Sequence, residues 1–204
     1  MKARFKIMIN YQNLQDAETF YTERGFQRIE VPWTVSAYVD DITKPADRIH
    51  YQLKHNDKCL IASGEQGFLY LYLKEYLPKG KFQTTTPCFR DEPYDLYHEK
   101  CFMKNELIIT DDTSESQLEF IIDTAFNFFK TKLDDGDKYN RLKVIKTSCG
   151  FDINYNVDGV RPVELGSYGI RETEFIKWIY GTGCAEPRLS KVISTSYQPS
   201  KLKT

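Results

Sequence analysis

The run Phe89-Arg90-Asp91-Glu92, the loop Pro93-Tyr94-Asp95-Leu96-Tyr97 and the stretch His98-Glu99-Lys100-Cys101-Phe102-Met103-Lys104-Asn105-Glu106 hold an unusual density of chemistry-bearing side chains. Side chains on an extended chain alternate between faces with a period of two. Arg90 and Glu92 therefore share one face of the outgoing run, and Phe102, Lys104 and Glu106 share one face of the return. A hairpin of the two runs presents a guanidinium, carboxylates and an aromatic ring on one sheet surface, with His98 at its mouth. That set suits a nucleoside triphosphate. The ring takes the base, the planar fork of arginine takes a phosphate, and the carboxylates take amino groups or a metal. The ordinary alternatives are a surface ion pair for Arg90, a core aromatic for Phe102, a solvated strand face for Glu92 and an idle loop position for His98.

The elements that must carry these residues follow from hydrophobic periodicity. Residues 81–91 and 99–109 read as extended neighbours joined by Glu92–His98, which makes them antiparallel. Upstream, residues 10–24 place Leu14, Ala17, Phe20 and Tyr21 at helical spacing with Gly25 as a stop. Phe26 to Val35 reads extended, because Pro32 excludes a helix interior. Residues 48–62 read as a hairpin turning near His55-Asn56-Asp57, and residues 65–77 as a helix ended by Pro78 and Gly80. Residues 114–133, capped by Thr113 or Ser114, carry the clearest helical stripe: Leu118, Ile121, Ile122, Ala125, Phe128, Phe129 and Leu133. An acidic turn at Asp134–Asp137 closes it. Strands are expected at 141–148, 151–157, 160–167 and 172–180, with a turn at Asp158–Gly159 and a final helix from Ala185 to Ser196. The sum is a single α+β domain over residues 1–204, a mainly antiparallel sheet flanked by helices.

Composition bounds the function. The chain has 204 residues, 41% hydrophobic and 28% charged, with a net charge of −1, so a core is affordable and no basic excess points to a large nucleic-acid surface. Five cysteines without a CxxC pair, and His50, His55 and His98, make no zinc pattern, so reduced thiols in a cytoplasm are expected. The apolar run in Met1–Gln12 is too short for a signal peptide, and no apolar stretch approaches the roughly 18 residues of a membrane span. A soluble, cytoplasmic protein without membrane contact is the expectation. No GxxxxGK[ST] phosphate loop, GxSxG elbow, HExxH helix or EF-hand loop occurs. Gly181-Thr182-Gly183 opens like a dinucleotide fingerprint but continues as Cys184-Ala185-Glu186-Pro187-Arg188, outside any parallel βαβ unit.

The segment Arg90-x-Glu92, loop, His98-xxx-Phe102-xxx-Glu106 resembles motif 2 of the class II aminoacyl-tRNA synthetase catalytic core. Gly25-Phe26-Gln27-Arg28-Ile29-Glu30-Val31-Pro32 resembles motif 1 of that family. Gly181-Thr182-Gly183-Cys184-Ala185-Glu186-Pro187-Arg188-Leu189 resembles motif 3, with Pro187 where an acidic residue usually precedes the arginine. The three stand in family order across residues 25–189. Leu60-Ile61-Ala62-Ser63-Gly64-Glu65-Gln66 is similar to the loop that holds the amino-acid substrate, and Val163 to Arg171 to the strand before motif 3.

The resemblance implies a class II synthetase-like fold and an ATP site in which Arg90 bridges the α-phosphate and the substrate carboxylate. It further implies that Glu92 and Phe102 hold adenine, that His98 reaches the γ-phosphate and that Arg188 closes over the outer phosphates. Arg90 and Arg188 are the catalytic pair. Glu106 and Glu164 are the implied Mg²⁺ ligands, and Ser63, Glu65, Gln66, Ser167 and Tyr168 line the substrate pocket. The implied reaction is ATP-dependent activation of an amino acid or related small carboxylate to an acyl-adenylate. A tRNA-like end, a carrier, ammonia or another small nucleophile would be the acceptor, and a homodimer would form through motif 1. Residues before 25 and after 189 are too few to build an anticodon-reading module, so a stand-alone or truncated core is expected. A non-catalytic paralogue that binds nucleotide or amino acid as a regulatory subunit is the alternative, and a plain α+β interaction domain stands behind both.

Overall fold

The computed structural model describes residues 9–45, 48–49, 51–93, 95–133, 141–157 and 162–196. Along the chain run α1 (Tyr11–Thr22), β1 (Gln27–Arg28), β2 (Thr34–Ser36), α2 (Ala37–Asp41), β3 (Tyr51–Gln52), β4 (Lys58–Leu60), α3 (Gly64–Leu73), β5 (Lys81–Phe89) and β6 (Cys101–Ile109). There follow α4 (Glu115–Lys132), β7 (Leu142–Thr147), β8 (Gly150–Asn156), β9 (Pro162–Glu172), β10 (Lys177–Glu186) and α5 (Arg188–Ser196).

Alternation along β6 explains the layering. Its odd positions Leu107 and Ile109 enter one apolar core, while its even positions run Phe102, Lys104, Glu106 and then Ile108, which enters a second core. β5 and β6 pair antiparallel from Phe89↔Cys101 to Lys81↔Ile109, as the sequence leads one to expect. They sit inside a seven-stranded sheet of order β1-β5-β6-β10-β9-β8-β7. One face of that sheet packs on α1, α4 and α5, where Tyr21, Ile121, Phe128, Tyr168 and Val192 are all fully or almost fully buried. The stripe of α4 is the sequence-predicted one, and each such apolar side chain taken from water contributes roughly 1.5–3 kcal/mol. The other face holds Phe82, Ile108 and Trp178 against α3 and against a three-stranded sheet of order β2-β4-β3. The architecture is α+β with a mainly antiparallel sheet flanked by helices.

Several expectations are corrected. The extended run from Phe26 to Val35 divides: β1 joins the large sheet, in parallel with β5, and β2 joins the small one. The break expected between 167 and 172 does not occur, because β9 continues through Tyr168–Arg171 paired to β10. The last helix begins at Arg188 rather than Ala185, since Ala185 and Glu186 still pair with Lys104 and Met103. The turns expected at Asp134–Asp137 and Asp158–Gly159 lie outside the described residues. The short helix α2 has no counterpart in the sequence reading.

Two adjacent strands depart from strict alternation. In β10, Thr182 pairs with Glu106 and Cys184 with Asn105, so Gly183 is an extra residue. In β9, Ile153 of β8 faces Gly166 while Asn154 faces Glu164, so Leu165 is extra. A bulge lets residues three apart point the same way. A Cβ on Gly183 would overlap Asn105 Oδ1 and stand 2.8 Å from the Tyr21 ring, and the Gly183 carbonyl accepts the Tyr21 hydroxyl at 3.0 Å. Gly183→Ala is therefore expected to destabilise the protein by about 1–3 kcal/mol through overpacking, read as a lowered urea midpoint at unchanged slope.

Candidate functional site

The even face of β6, the end of β5, the α3 N-terminus and the bulged ends of β9 and β10 enclose a cavity of about 310 Å³. Arg90 lies just past β5, its N–H donating to Lys100 O at 2.9 Å, which extends the ladder by one rung. Its Nε donates to Ala62 O at 2.9 Å, its Nη1 lies 3.6 Å from Glu92 Oε1, and its guanidinium carbon sits 5.2 Å from the Phe102 ring centroid. Arg90 and Phe102 thus project from the same side of the ribbon into the same cavity. Anchoring Nε orients the fork and leaves its two terminal nitrogens as the edge available to an oxyanion.

Arg188 opens α5 at the far wall. Its Nη1 donates to Glu164 O at 3.1 Å and its Nε to Tyr97 O at 3.4 Å, with Glu164 Oε1 at 3.6 Å. Burial lowers the Arg188 pKa below its ordinary value; Glu164 opposes that and the nearby Arg90 charge adds to it. Two cations facing one cavity are a demand for anionic charge between them. Glu92 and Phe102 line the cavity beside them.

The opposite end is polar. Ser63 caps α3, and both its hydroxyl and the Gly64 N–H donate to the Glu106 carboxylate, while Lys104 Nζ donates to Glu106 Oε1 at 2.8 Å. A Cβ on Gly64 would meet Thr84 Cγ2 at 2.9 Å and Glu106 Oε2 at 3.0 Å, so the close approach needs glycine. Glu65 accepts from Trp178 Nε1 and from Arg171 Nη1, both at 2.6 Å. Burial raises the Glu65 pKa, against the Arg171 charge and the Trp178 bond. Gln66 is held between Ala62 N at 2.7 Å and Asp40 Oδ1 at 2.6 Å. Ser63, Glu65, Gln66 and Ser167 all line the cavity.

Three expected residues are placed otherwise. Tyr168 is fully buried on the opposite face of β9 from Ser167 and donates to Thr182 O at 2.6 Å, as its adjacent position on a strand requires. His98 lies outside the cavity lining: its Nδ1 is 2.8 Å from Asp95 Oδ2, and Asp95 also accepts the N–H groups of Tyr97 and His98. Burial would raise the Asp95 pKa, but the His98 bond and those two N–H donors outweigh it and bring it to about 2. Glu106 does not fit a metal-ligand role, since its oxygens are taken by Lys104, Ser63 and Gly64. Nor do Glu106 and Glu164 converge. Glu106 pairs with Thr182 on β10, Thr182 accepts from Ser167 N on β9, and Glu164 lies farther along β9. Two strand spacings of about 4.8 Å and several ångströms of rise separate the two carboxylates. Glu164 fits a cation better: it is half-exposed, and Asp152 beside it has a pKa raised by burial and then by the Glu164 charge. Among the described residues no group of three or more His, Cys, Asp or Glu is disposed to hold a metal.

Sequence reasoning passed over Arg171, Trp178, Tyr180 and Thr182. Arg171 had a legible signal, since it shares the Ser167 face four residues on; its guanidinium also lies 4.2 Å from the Tyr180 ring centroid. The five cysteines are free, and among the described residues no helix is long and apolar enough to cross a membrane.

Neither a protein-family model nor a curated protein matches this sequence. Solved structures do match in fold. The cytoplasmic serine-tRNA ligase of Naegleria fowleri, in complex with AMP, superposes with a TM-score of 0.70 at 20% identity over 92% of this chain and 54% of its own. The seryl-tRNA synthetase of Pyrococcus horikoshii, complexed with ATP, gives 0.74 at 17% identity over 92% and 51%. The pyrrolysyl-tRNA synthetase of Desulfitobacterium hafniense gives 0.66 at 17% identity over 93% and 74%. The chain has the fold of these synthetases and spans about half the length of the two seryl enzymes.

The Lys104–Glu106 pair yields a pH-dependent expectation. Burial alone would raise the Glu106 pKa, but the charge and hydrogen bond of Lys104, the Ser63 hydroxyl and the Arg90 charge together hold it below the usual value. A carboxyl with a lowered folded pKa stabilises the fold above the unfolded value near 4.3 and loses that contribution as pH falls through the folded value. Lys104→Met strands a buried carboxylate and is expected to cost about 3–5 kcal/mol near neutrality. With Lys104 gone, burial pushes the Glu106 pKa back up, so the penalty begins to shrink above the unfolded value of about 4.3 and goes on shrinking below it as the carboxyl takes up its proton, which urea titrations at neutral and acidic pH would register.

Proposed function

We propose that this protein binds ATP and a small amino acid side by side and joins them as an aminoacyl-adenylate. A carboxylate oxygen of the amino acid attacks the α-phosphorus of ATP. The bond from that phosphorus to the bridging oxygen breaks, and pyrophosphate leaves with the electron pair, so no proton need move. Such a step needs position and charge compensation more than covalent catalysis. The observation that carries the reading is the placement of Arg90: its fork is anchored through Nε by Ala62 O and faces the same cavity as Phe102 and Arg188.

In this reading adenine stacks on Phe102, and Glu92 accepts from its amino group. Arg90 bridges the α-phosphate and the substrate carboxylate, and Arg188 draws the outer phosphates from α5. His98 has no direct part while Asp95 holds it. Mg²⁺, where bound, neutralises phosphate charge, and Glu164 beside Asp152 would hold it. Glu65, its oxygens held by Trp178 and Arg171, is a wall of the amino-acid end. Ser63, Gln66, Ser167, Arg171 and the Lys104–Glu106 pair make a substrate end that favours a small polar side chain over a large apolar one. Serine, the residue in the names of two of the fold neighbours, belongs to that class.

The acceptor of the acyl group is taken to be a tRNA end or a carrier, and the setting a cytoplasm. A homodimer through the segment resembling motif 1 belongs to the same reading, and Trp33 and Tyr38 are exposed next to it. The second reading, a regulatory paralogue that binds ligands without chemistry, is favoured by one observation: the loop histidine is tied to Asp95 instead of lining the cavity.

Arg90→Ala is expected to lower ATP–pyrophosphate exchange by about 10²–10³-fold with the thermal transition unchanged, and Arg90→Lys is expected not to restore it. Exchange unaltered in the alanine variant removes the assignment. A screen of the twenty amino acids should give its strongest exchange with small polar ones.

A further inference from the structure

Between the nucleotide ribbon and α5 lies an ion pair that none of the proposed roles uses. Lys191 Nζ donates to Glu99 Oε1 at 2.9 Å, and the two side chains are only 8% and 7% exposed. Glu99 precedes Phe102 by three residues on the returning ribbon, and Lys191 follows Arg188 by three residues, one helical turn, on α5. Glu99 also borders a small pocket of about 10 Å³ whose other walls include Glu92, Phe102, Ala185 and Arg188. A second tie runs in parallel, from Arg188 Nε to Tyr97 O. The ribbon that carries the Phe102 ring and the helix that carries Arg188 are thus joined, among the described residues, by at least these two contacts, and one of them is a charge pair removed from water.

Burial of such a pair is costly unless the geometry is good, and replacement by apolar residues is often neutral or stabilising. Its value lies in direction: a buried ammonium accepts few arrangements of its partner, so the segment 97–102 is fixed relative to α5. We propose that Glu99 and Lys191 are positioning residues for the nucleotide. They set the spacing between Phe102 and Arg188 so that ATP meets both groups at once. The proposal rests on the adenylation reading for what the spacing serves. The tie itself is a property of the free protein.

The test uses Glu99→Gln, Lys191→Met and the swap Glu99→Lys/Lys191→Glu in the full chain. Hydrogen exchange on the ligand-free protein should show faster exchange of the Arg90 amide, which donates to Lys100 O, and of the amides of 99–102 in both single variants. Exchange in the part of β5 and β6 near Phe82 and Ile108 should stay as it was. In pyrophosphate exchange the singles should raise KM for ATP roughly 10- to 100-fold while KM for the amino acid stays nearly constant, and the swap should recover most of the loss. Equal rises in both KM values, or a ribbon whose exchange is unchanged, overturn the proposal. Should the unsubstituted protein catalyse no exchange with any amino acid, the adenylation reading falls. Hydrogen exchange then still decides whether this pair orders the ribbon.

Discussion

A carboxylate with almost no access to water holds the two halves of the site together. Glu106 is 4% exposed, and its charge is met from three directions: the Ser63 hydroxyl, the Gly64 N–H at the start of α3, and Lys104 on its own strand. An isolated ion at that depth would be prohibitive. The three donors make it tolerable and bind the loop before α3 to the central ribbon. That loop in turn supplies Ala62 O, which aims Arg90. The orientation of the principal guanidinium therefore depends on a chain of contacts that begins at a buried anion.

The cavity is organised by charge rather than by shape alone. At one end the Arg90 charge disfavours that of Arg188, with Glu164 as partial relief for Arg188 and Glu92 3.6 Å from Arg90. At the other end each cation has a close carboxylate: Lys104 with Glu106 and Arg171 with Glu65. The first arrangement leaves positive potential for a polyanion, and the second leaves paired dipoles suited to a zwitterion. Preorganised groups of this kind lose little on binding, because the fold has already fixed them.

Much of this was legible in the sequence where the relevant contacts are local or periodic. Alternation put Arg90, Phe102 and Glu106 on one face, and the apolar stripe of α4 needed only its 3.6-residue repeat. What stayed hidden has definite causes. The bulges at Leu165 and Gly183 shift the period, and the break expected between 167 and 172 falls where β9 in fact continues. The burial of Tyr168 followed from alternation once Ser167 was taken as facing the cavity. His98 was captured by a carboxylate three residues away, a local bond that motif spacing does not weigh. Lys104 is a local partner of Glu106, but Ser63 and Gly64 lie more than forty positions upstream of it, and the partners of Glu65 more than a hundred downstream. No local pattern could supply them.

The paired bulges make chain length itself a functional quantity. Thr182 and Ala185 both reach the cavity because Gly183 lies between paired rungs, and Glu164 and Ser167 do so because Leu165 does the same next door. Loss of one residue at Gly183 would return β10 to strict alternation. Cys184, Ala185 and Glu186 would keep their rungs opposite Asn105, Lys104 and Met103, and with them their faces, so the loss would fall on the Gly183 carbonyl that accepts the Tyr21 hydroxyl. A residue gained or lost at a regular rung, with the bulge kept in place, would instead turn every group beyond it to the other face. Drift in homologous chains should therefore alter the letters between Glu164 and Arg188 far more readily than their number.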